Sequence, residues 1–322
     1  MSDGPLLGGG VEFDRIRAIA AALGRQAPEL GDDCGLVGGR GDTLAVSIDA
    51  SVEGVHFRFD WLSHEEVGWR AAAAALSDLA AEGAEPAGLL AAVTLPAAAA
   101  ESALVALMRG IGDAGAAVGA PVLGGDLSAG PAWAVTVTVL GWVTAPVTRG
   151  GARPGDRLWV SGALGGARAA LEAWRRGETP IDEARRAFAR PEPRIVAGRW
   201  LAEHGARAMI DLSDGLGADA GHLAAASAVR IDLALEQVPV AGAAVPEARR
   251  AGVSVQQFAA EGGEDYELLV ALPVAFGRDD ALAFEHATGL ALTRVGAVRR
   301  GSGVRATLAG RALALAGYDH FR

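Results

Sequence analysis

The sequence predicts a mixed α/β (α+β) protein of two domains, and three observations carry this prediction. Helical and strand-like hydrophobic patterns alternate through the first half of the chain. The length of 322 residues suffices for two domains of ordinary size, each with its own core. A Gly- and Pro-rich stretch at 149–156 interrupts the pattern near the middle. We therefore expect an amino-terminal domain over residues 1–148 and a carboxy-terminal domain over residues 149–322.

The amino-terminal domain is expected to alternate helices with strands. Ser63 and Glu66 have the spacing of a capping box, which predicts the start of a long alanine-rich helix. Asp49 would stand at the end of a short strand, and Asp78 would lie near the end of the long helix. The other predicted elements, in order, are a helix over 12–23, the short strand over 43–48, a buried strand over 88–95, a helix over 101–118, a turn at 124–126 and a half-buried strand over 133–142.

The carboxy-terminal domain is expected to restart with a strand over 158–161 and a helix from Gly165. The glycine-rich run 162–166 between them is interpreted either as an ordinary turn or as a phosphate cradle at a helix start. Residues 209–211 predict the end of a strand, after which Ser213 or Asp214 would cap the next helix. Finally, a dense acidic turn at 261–267 leads into an apolar strand over 268–272.

Composition argues against several classes of function. A net charge of −10 with a pI near 5.1 disfavours nucleic-acid binding, which needs a basic face. The longest apolar stretch, near 88–100, is interrupted by Pro96 and is too short to span a membrane, and the first residues lack the features of a signal peptide. We therefore expect a cytoplasmic protein with no membrane or nucleic-acid partner. The single Cys34 rules out an internal disulfide and a multi-cysteine zinc site.

Acidic motifs recur along a chain that contains no lysine. The five motifs are Gly31-Asp32-Asp33, Ser47-Ile48-Asp49, Leu76-Ser77-Asp78, Gly124-Gly125-Asp126 and Asp211-Leu212-Ser213-Asp214-Gly215. Carboxylates beside small residues suit Mg²⁺, which commonly keeps coordination positions for substrate phosphates. Without lysine, neither a P-loop nor a protein-kinase site nor a Schiff-base site can be built. Together the motifs indicate a metal-dependent phosphate enzyme.

Each motif taken alone has a simpler interpretation, because Asp beside Gly or Ser is common in turns and helix caps. A calcium loop is an alternative for 211–215, but its glycine and a late glutamate do not stand at the EF-hand positions. The missing lysine also fits a compositional drift towards Ala, Gly and Arg. Recurrence of the motifs favours the metal site. A phosphate ligand in so acidic a chain also needs bridging cations, since two like charges about 4 Å apart repel by roughly 4 kcal/mol at an effective dielectric near 20.

Taken in order, the motifs resemble those of the thiamine-monophosphate kinase family, which is grouped with the aminoimidazole ribonucleotide and selenophosphate synthetases. The further segments that carry the resemblance are Glu12-Phe13, Glu53-Gly54-Val55-His56-Phe57, Gly262-Gly263-Glu264-Asp265-Tyr266-Glu267 and Gly317-Tyr318-Asp319-His320-Phe321. The resemblance implies that ATP and Mg²⁺ are used to phosphorylate thiamine monophosphate to thiamine diphosphate, with ADP as the second product. This is the last step of thiamine diphosphate biosynthesis. It also implies an aminoimidazole ribonucleotide synthetase-like fold whose amino-terminal sheets pair across a homodimer.

The resemblance also implies roles for individual residues. An acceptor that already carries an ionised phosphate needs little help from a general base, so no catalytic side chain is assigned. Arg149 would contact ATP with its forked donors, together with Gly125 and Ser213. Thiamine monophosphate would contact His56, Glu261 and Tyr318. The metal ions would be held by Asp33, Ser47, Asp49, Asp78, Asp126, Asp211 and Asp214.

Three positions depart from the family pattern. Ile48 and Leu127 stand where threonines are usual, and Ala75 replaces an asparagine. All six of the proposed metal-binding aspartates are present. One rival interpretation is a sister synthetase that activates another small molecule with ATP, and another is a non-catalytic protein that binds metal and nucleotide. The Gly-Val-His-Phe and Gly-Tyr-Asp-His-Phe segments favour the kinase.

Overall fold

The computed structural model describes residues 34–38 and 41–318. The helix predicted over 12–23 and the proposed metal ligand Asp33 lie outside these residues, as do positions 319–321 of the carboxy-terminal motif. Two sheets organise the described part of the chain. No helix among the described residues is both long enough and apolar enough to cross a lipid bilayer.

The first sheet has five strands, in the order β1-β2-β5-β3-β4. The strands are β1 (Gly35–Gly38), β2 (Thr43–Val52), β3 (Glu85–Leu95), β4 (Val122–Ala129) and β5 (Ala134–Val143). All neighbours are antiparallel except β3 and β4. Along β5 the predicted alternation is confirmed, because its valines are buried on one face and its threonines lie half-buried on the other.

Two helices cover the valine face of this sheet, α1 (His64–Ala81) and α2 (Glu101–Ala117). The capping box at the start of α1 is confirmed: Glu66 N–H donates to Ser63 Oγ at 3.3 Å, and Ser63 N–H donates to Glu66 Oε2 at 2.9 Å. The helices cross closely at Gly68 and Gly110. A Cβ at Gly68 would lie 1.9 Å from the Leu107 carbonyl oxygen, so only glycine fits at this crossing.

Three expectations for this region are corrected. The run Gly124-Gly125-Asp126 is not a turn but part of β4, paired in parallel with β3. Asp49 does not end a strand, because β2 continues to Val52 along its whole antiparallel partner β5. The strand predicted as buried over 88–95 is half-buried, since alternate residues of β3 are exposed.

The second sheet has seven strands, in the order β12-β11-β8-β10-β6-β9-β7. They are β6 (Arg157–Ser161), β7 (Ala208–Asp211), β8 (Arg230–Ala234), β9 (Leu268–Leu272), β10 (Leu292–Arg299), β11 (Gly303–Leu308) and β12 (Arg311–Leu313). The strands predicted over 158–161, 209–211 and 268–272 are confirmed as β6, β7 and β9.

Seven helices accompany this sheet within the described residues. They are α3 (Gly166–Arg175), α4 (Asp182–Ala189), α5 (Ile195–Glu203), α6 (Leu216–Ala226), α7 (Ala244–Ala251), α8 (Val255–Ala260) and α9 (Arg278–Thr288). The helix predicted from Gly165 is confirmed as α3.

Helix α1 joins the two sheets. Its Trp69 Nε1–H donates to the Pro191 carbonyl at 2.8 Å, and a Cβ at Gly198 of α5 would meet the Ala80 carbonyl oxygen at 1.9 Å. One cluster of buried apolar residues runs from Val135 of the first sheet to Val270 of the second. The predicted domain boundary at residue 148 falls in the segment between β5 and β6 and stays a prediction.

Candidate functional site

A cleft of about 1030 Å³ opens between the two sheets and brings together the predicted thiamine monophosphate-binding residues with Ser213, which was predicted to contact ATP. His56 follows β2, Ser213 follows β7, Glu261 follows α8, and Tyr318 belongs to the segment after β12; all four line the cleft. These positions are up to 262 residues apart in sequence. The size suits a small-molecule ligand, because such sites commonly enclose roughly 300–1,000 Å³.

The ring of His56 is oriented by the backbone. Val52 N–H donates to His56 Nδ1 at 3.0 Å. Because Nδ1 accepts this bond, a neutral ring carries its proton on Nε2. His56 thus presents an N–H donor to its surroundings at the cleft, which suits an anionic acceptor such as a phosphate oxygen.

Two glutamates of the acidic turn 261–267 line the cleft, and they differ in their internal contacts. Glu261 accepts hydrogen bonds from Gln257 Nε2 at 3.0 Å and Ala316 N at 3.3 Å, and its side chain is only 12% exposed. Glu264 is 31% exposed and pairs with Arg70. Glu261 therefore ties the turn to neighbouring segments, whereas Glu264 presents more of its carboxylate to the cleft.

Two of the predicted metal ligands are in direct contact beside the first sheet. Ser47 Oγ donates to Asp78 Oδ2 at 2.5 Å, which links the middle of β2 to the last turn of α1. Asp49 lies two residues further along β2 and shares the face of Ser47, because side chains alternate along a strand. The helix-facing side of β2 thus brings together Ser47, Asp49 and Asp78.

The other acidic loop, 211–215, is held by the acidic turn. Tyr266 N–H donates to the Leu212 carbonyl at 2.9 Å, and Glu264 N–H donates to the Ser213 carbonyl at 2.8 Å. Tyr318 N–H donates to the Asp214 carbonyl at 3.1 Å, so the carboxy-terminal segment also packs on this loop.

The predicted cap of the following helix is wrong. Gly215, at φ +105°, is the N-cap of α6, and neither Ser213 nor Asp214 caps it with a side chain. Instead, Asp214 N–H donates to Asp219 Oδ2 at 3.2 Å, so a carboxylate from the first turn of α6 orders the loop.

Negative charge is concentrated at this loop. Burial raises the pKa of Asp219 well above its usual value, and the carboxylates of Asp214 and Asp211 raise it further, while Arg149 opposes the shift. Ligand atoms of Asp214, Asp219 and His222 lie within 4.8 Å of one another. The two carboxylates of this group offer the oxygen ligands that a hard divalent cation prefers, and His222 adds a ring nitrogen.

Tyr266 connects the two acidic groups. Burial raises its pKa, and the carboxylates of Asp49, Asp211 and Asp214 contribute to the increase. These three carboxylates therefore act on one phenol, although Asp49 comes from the first sheet, whereas Asp211 ends β7 of the second sheet and Asp214 follows it. Asp49, Asp211 and Asp214 are thus linked electrostatically through Tyr266, and Ser47 and Asp78 are bonded to each other on the first-sheet side.

Asp126 is placed elsewhere. It is in register with Ala92 and, through it, with Thr136, whereas Asp49 is in register with Val137. Paired residues share a face, so Asp126 and Asp49 point to opposite faces of the sheet. Three strand spacings, about 14 Å, also separate their strands. Within one protomer these two residues are not brought together.

Gly125 has a packing requirement in the same strand. A Cβ at this position would lie 1.9 Å from the Ala91 carbonyl oxygen, so parallel pairing with β3 demands glycine here. Its predicted contact with ATP stays a prediction.

The glycine-rich run 162–166 serves an internal carboxylate. Gly165 N–H donates to both carboxylate oxygens of Asp265, at 2.9 and 3.0 Å, and the N–H groups of Gly166 and Ala167 also face this carboxylate. The start of α3 is therefore filled by Asp265 from the acidic turn. This corrects the alternative interpretation of the run as a phosphate cradle.

Comparison with known proteins identifies the family of this chain. The family model described as AIR synthase related protein, N-terminal domain, matches residues 31–143. The thiamine-monophosphate kinase of Caulobacter vibrioides is 35% identical over 318 residues, which cover 93% of this chain and 87% of that protein. The chain belongs to the thiamine-monophosphate kinase family.

Other family members give the same result. The thiamine-monophosphate kinase of Mycobacterium tuberculosis is 37% identical over 242 residues, covering 74% of this chain and 73% of that protein. A solved structure described as AaThiL complexed with AMPPCP and TMP has a TM-score of 0.87 and 31% identity, and it covers 97% of both chains. The predicted family and the predicted fold class are confirmed.

Sequence reasoning missed four residues that organise the cleft. Glu264 and Tyr266 stand in the acidic turn that was recognised, but only Glu261 was singled out. Asp219 lies one turn after the Asp211 motif, at a spacing that suggested only a helix. Arg70 carries no sequence signal, because its contact with Glu264 spans 194 residues.

Proposed function

We propose that this chain transfers the γ-phosphate of ATP to thiamine monophosphate, producing thiamine diphosphate and ADP by direct in-line transfer. The observation that carries the proposal is the cleft between the sheets. It is lined by His56, Ser213 and Tyr318. The cleft-lining Glu264 accepts a hydrogen bond from Tyr266, on which Asp49 of the first sheet and Asp211 and Asp214 of the second act electrostatically. The family relationship supports the same reaction, since relatives across most of the chain are thiamine-monophosphate kinases.

Thiamine monophosphate fits the chemistry of the cleft walls. The Nε2–H of His56 suits the phosphate, and Glu264, with Glu261 behind it, supplies negative charge for the cationic thiazolium. Tyr318 is 51% exposed at the cleft, and an aromatic face attracts a cation by roughly 0.5–2 kcal/mol. The expected substrate-binding set is therefore His56, Glu264 and Tyr318, with Glu261 as a supporting residue.

Mg²⁺ is the metal that we propose for the acidic groups. Asp49, Asp78 and the Ser47 hydroxyl would hold it on the first-sheet side, and Asp211 and Asp214 on the second. The proposed set also includes Asp126 of β4 and Asp33, which lies outside the described residues. The ion would neutralise phosphate charge while substrate is bound. The donor set fits, because it consists of carboxylate and hydroxyl oxygens. Burial, together with the charges of Asp214 and Asp211, raises the pKa of the neighbouring Asp219.

ATP would lie on the acidic side of the cleft. Arg149 acts electrostatically on Asp219, which places its guanidinium beside the loop 211–215, and Ser213 lines the cleft itself. The chain's own residues need only orient the two phosphates and shield their charge, because an ionised phosphate acceptor has no proton to give up. No general base is required.

We further propose a homodimer formed through the open face of the first sheet. Three large apolar side chains on that face are exposed: Ile48 by 65%, Leu90 by 39% and Trp142 by 48%. Ile48 and Leu90 are both in register with Thr138 and so form one row. Contiguous exposed apolar residues of this kind are typical of interfaces.

Asp126 supports the same assembly, because it points to this open face rather than towards Asp49. A second copy on this face would enclose Asp126, which gives its proposed metal role a physical setting. The dimer is tested by sedimentation velocity, in which Ile48→Glu should convert a dimer to a monomer. A monomeric wild-type protein at micromolar concentration would contradict it.

The direct test of the reaction is a substrate panel. Purified protein is incubated with ATP and Mg²⁺ and with thiamine monophosphate, thiamine or an aminoimidazole precursor, and thiamine diphosphate and ADP are quantified. Of the three acceptors, we expect only thiamine monophosphate to react, giving thiamine diphosphate and ADP in equal amounts. Addition of EDTA should abolish the formation of both products. Turnover only with another acceptor would indicate a sister synthetase, and nucleotide binding without any turnover would indicate a binding protein.

A further inference from the structure

We propose that Arg70 is a positioning residue for the phosphoryl transfer: it holds Glu264 at the cleft and fixes helix α1 against the acidic turn. This proposal deepens the proposed function and rests on it. Arg70 touches neither proposed substrate directly. Its effect is transmitted through the carboxylate of Glu264.

Arg70 is a buried cation with defined partners. Its side chain is only 5% exposed, whereas arginines are seldom buried unless they are paired. Nη1–H donates to the Phe188 carbonyl at 2.7 Å, Nη2 forms an ion pair with Glu264, and the guanidinium lies 3.9 Å from the centroid of the Phe188 ring. Burial of an unpaired guanidinium is costly. The ion pair therefore holds the Arg70 guanidinium and the Glu264 carboxylate in fixed positions relative to each other.

Glu264 is held from two sides. Its Oε2 accepts from Arg70 and from the Tyr266 hydroxyl, the latter at 2.8 Å. The backbone of Glu264 has φ +69° and that of Tyr266 has φ +51°, a left-handed conformation that is costly for residues other than glycine. Such strain persists only where surrounding contacts determine the conformation, and the Arg70 contact is one of them.

The link spans the two halves of the site. Arg70 and Asp78 lie on the same helix, about 12 Å apart along its axis at 1.5 Å per residue. Asp78 is joined to Ser47 of the first sheet, whereas Glu264 N–H is bonded to Ser213, the residue before Asp214. The Arg70–Glu264 pair therefore sets the position of the first-sheet metal ligands relative to the second-sheet loop and the cleft wall.

The test compares Arg70→Met and Arg70→Lys with a matched control, Arg185→Met. Arg185 also forms an ion pair with α1, through Glu66, but neither residue lines the cleft. We expect Arg70→Met to raise the KM for thiamine monophosphate by roughly tenfold to a hundredfold, the loss typical of a charge-assisted hydrogen bond. Arg70→Lys should recover part of this loss, and the KM for ATP should change by less than about threefold in both variants. Arg185→Met should leave both KM values unchanged.

A double-mutant cycle with Glu264→Gln separates positioning from general stability. If Arg70 acts through Glu264, Arg70→Met adds little to the KM for thiamine monophosphate once Glu264→Gln is present. Equal factors in the two backgrounds, or an unchanged KM in Arg70→Met, would overturn the proposal. If Arg70→Met does not fold, the same cycle with Arg70→Lys decides. Absence of turnover in the wild-type protein would instead defeat the proposed function, so the two failures are distinguishable.

Discussion

Ser47 and Asp78, 31 residues apart in sequence, form a hydrogen bond of 2.5 Å that links strand β2 to helix α1. Both residues are proposed metal ligands, and their contact places a hydroxyl and a carboxylate oxygen side by side before any cation is bound. Asp49 on the same face of β2 adds a second carboxylate. This side of the site is therefore preorganised by the packing of α1 on the first sheet.

Removing the Ser47 hydroxyl should weaken the binding of Mg²⁺ without unfolding the protein. Ser47→Ala deletes the donor to Asp78 and one proposed oxygen ligand, so we expect the Mg²⁺ concentration for half-maximal rate to rise several-fold, as for loss of a neighbouring ligand contact. Ser51→Ala, two residues beyond Asp49 on the same face of β2, is the matched control and should not change it. Titration of the rate with Mg²⁺ measures both, and equal values for Ser47→Ala and wild type would argue against the ligand role.

Asp126 is predicted to be essential for turnover and dispensable for folding. It is exposed on the edge strand β4, where Ser128 Oγ lies 3.4 Å from its Oδ2. We therefore expect Asp126→Asn to abolish thiamine diphosphate formation while the melting temperature stays within about 2 °C, as for most exposed substitutions. Ser128→Ala is the control with near-normal rate. Near-normal turnover of Asp126→Asn would remove this residue from the metal site.

Alanine usually stabilises a helix more than glycine does, but we expect the opposite where α1 and α2 cross. Gly110→Ala places a Cβ 1.9 Å from the Glu65 carbonyl oxygen, so we expect the free energy of unfolding to fall by about 1–3 kcal/mol or more through overpacking. Gly112→Ala, on the same helix, meets no atom within 4 Å and should gain about 0.5–1 kcal/mol from helix propensity. Urea denaturation compares the two. Equal effects would show that the close approach of the helices is not limiting.

Stability without metal should depend on pH through Asp219. Burial and the charges of Asp214 and Asp211 raise the folded-state pKa of Asp219 above its unfolded value of about 3.9. The folded state then binds the proton more tightly. The stability from this group is therefore present below about pH 4 and is lost as pH rises through the folded-state pKa.

Asp219→Asn should remove this dependence. In EDTA, we expect the variant to gain melting temperature relative to the wild-type protein as pH is raised from about 5 to about 8. Differential scanning fluorimetry at both pH values measures the difference. A constant difference between the two proteins would contradict a raised pKa in the folded state.

Local sequence signals predicted the elements whose causes are local. The capping box at Ser63 predicted the start of α1, and the elements predicted over 101–118 and 133–142 match α2 and β5 to within one residue at each bound. The predictions were wrong where pairing with a neighbouring strand determines the local structure. Consecutive glycines at 124–125 suggested a turn, but contact with β3 makes them strand residues.

The sequence motifs predicted which residues belong to the site but not how these residues contact one another. The recurring Asp motifs pointed to the acids, and the cleft brings together His56, Ser213 and Tyr318. Contacts such as Arg70–Glu264 depend on the packing of α1 against the second sheet, which leaves no pattern in a single sequence. The opposite orientations of Asp49 and Asp126 likewise follow only from strand register.

The fate of the γ-phosphate tests the central claim most directly. Protein, Mg²⁺, thiamine monophosphate and ATP labelled in its γ-phosphate are combined, and the label is followed through a single turnover. The account predicts that the label enters the terminal phosphate of thiamine diphosphate in equal amount to ADP formed. Release of the label as inorganic phosphate, with thiamine monophosphate unchanged, would contradict it.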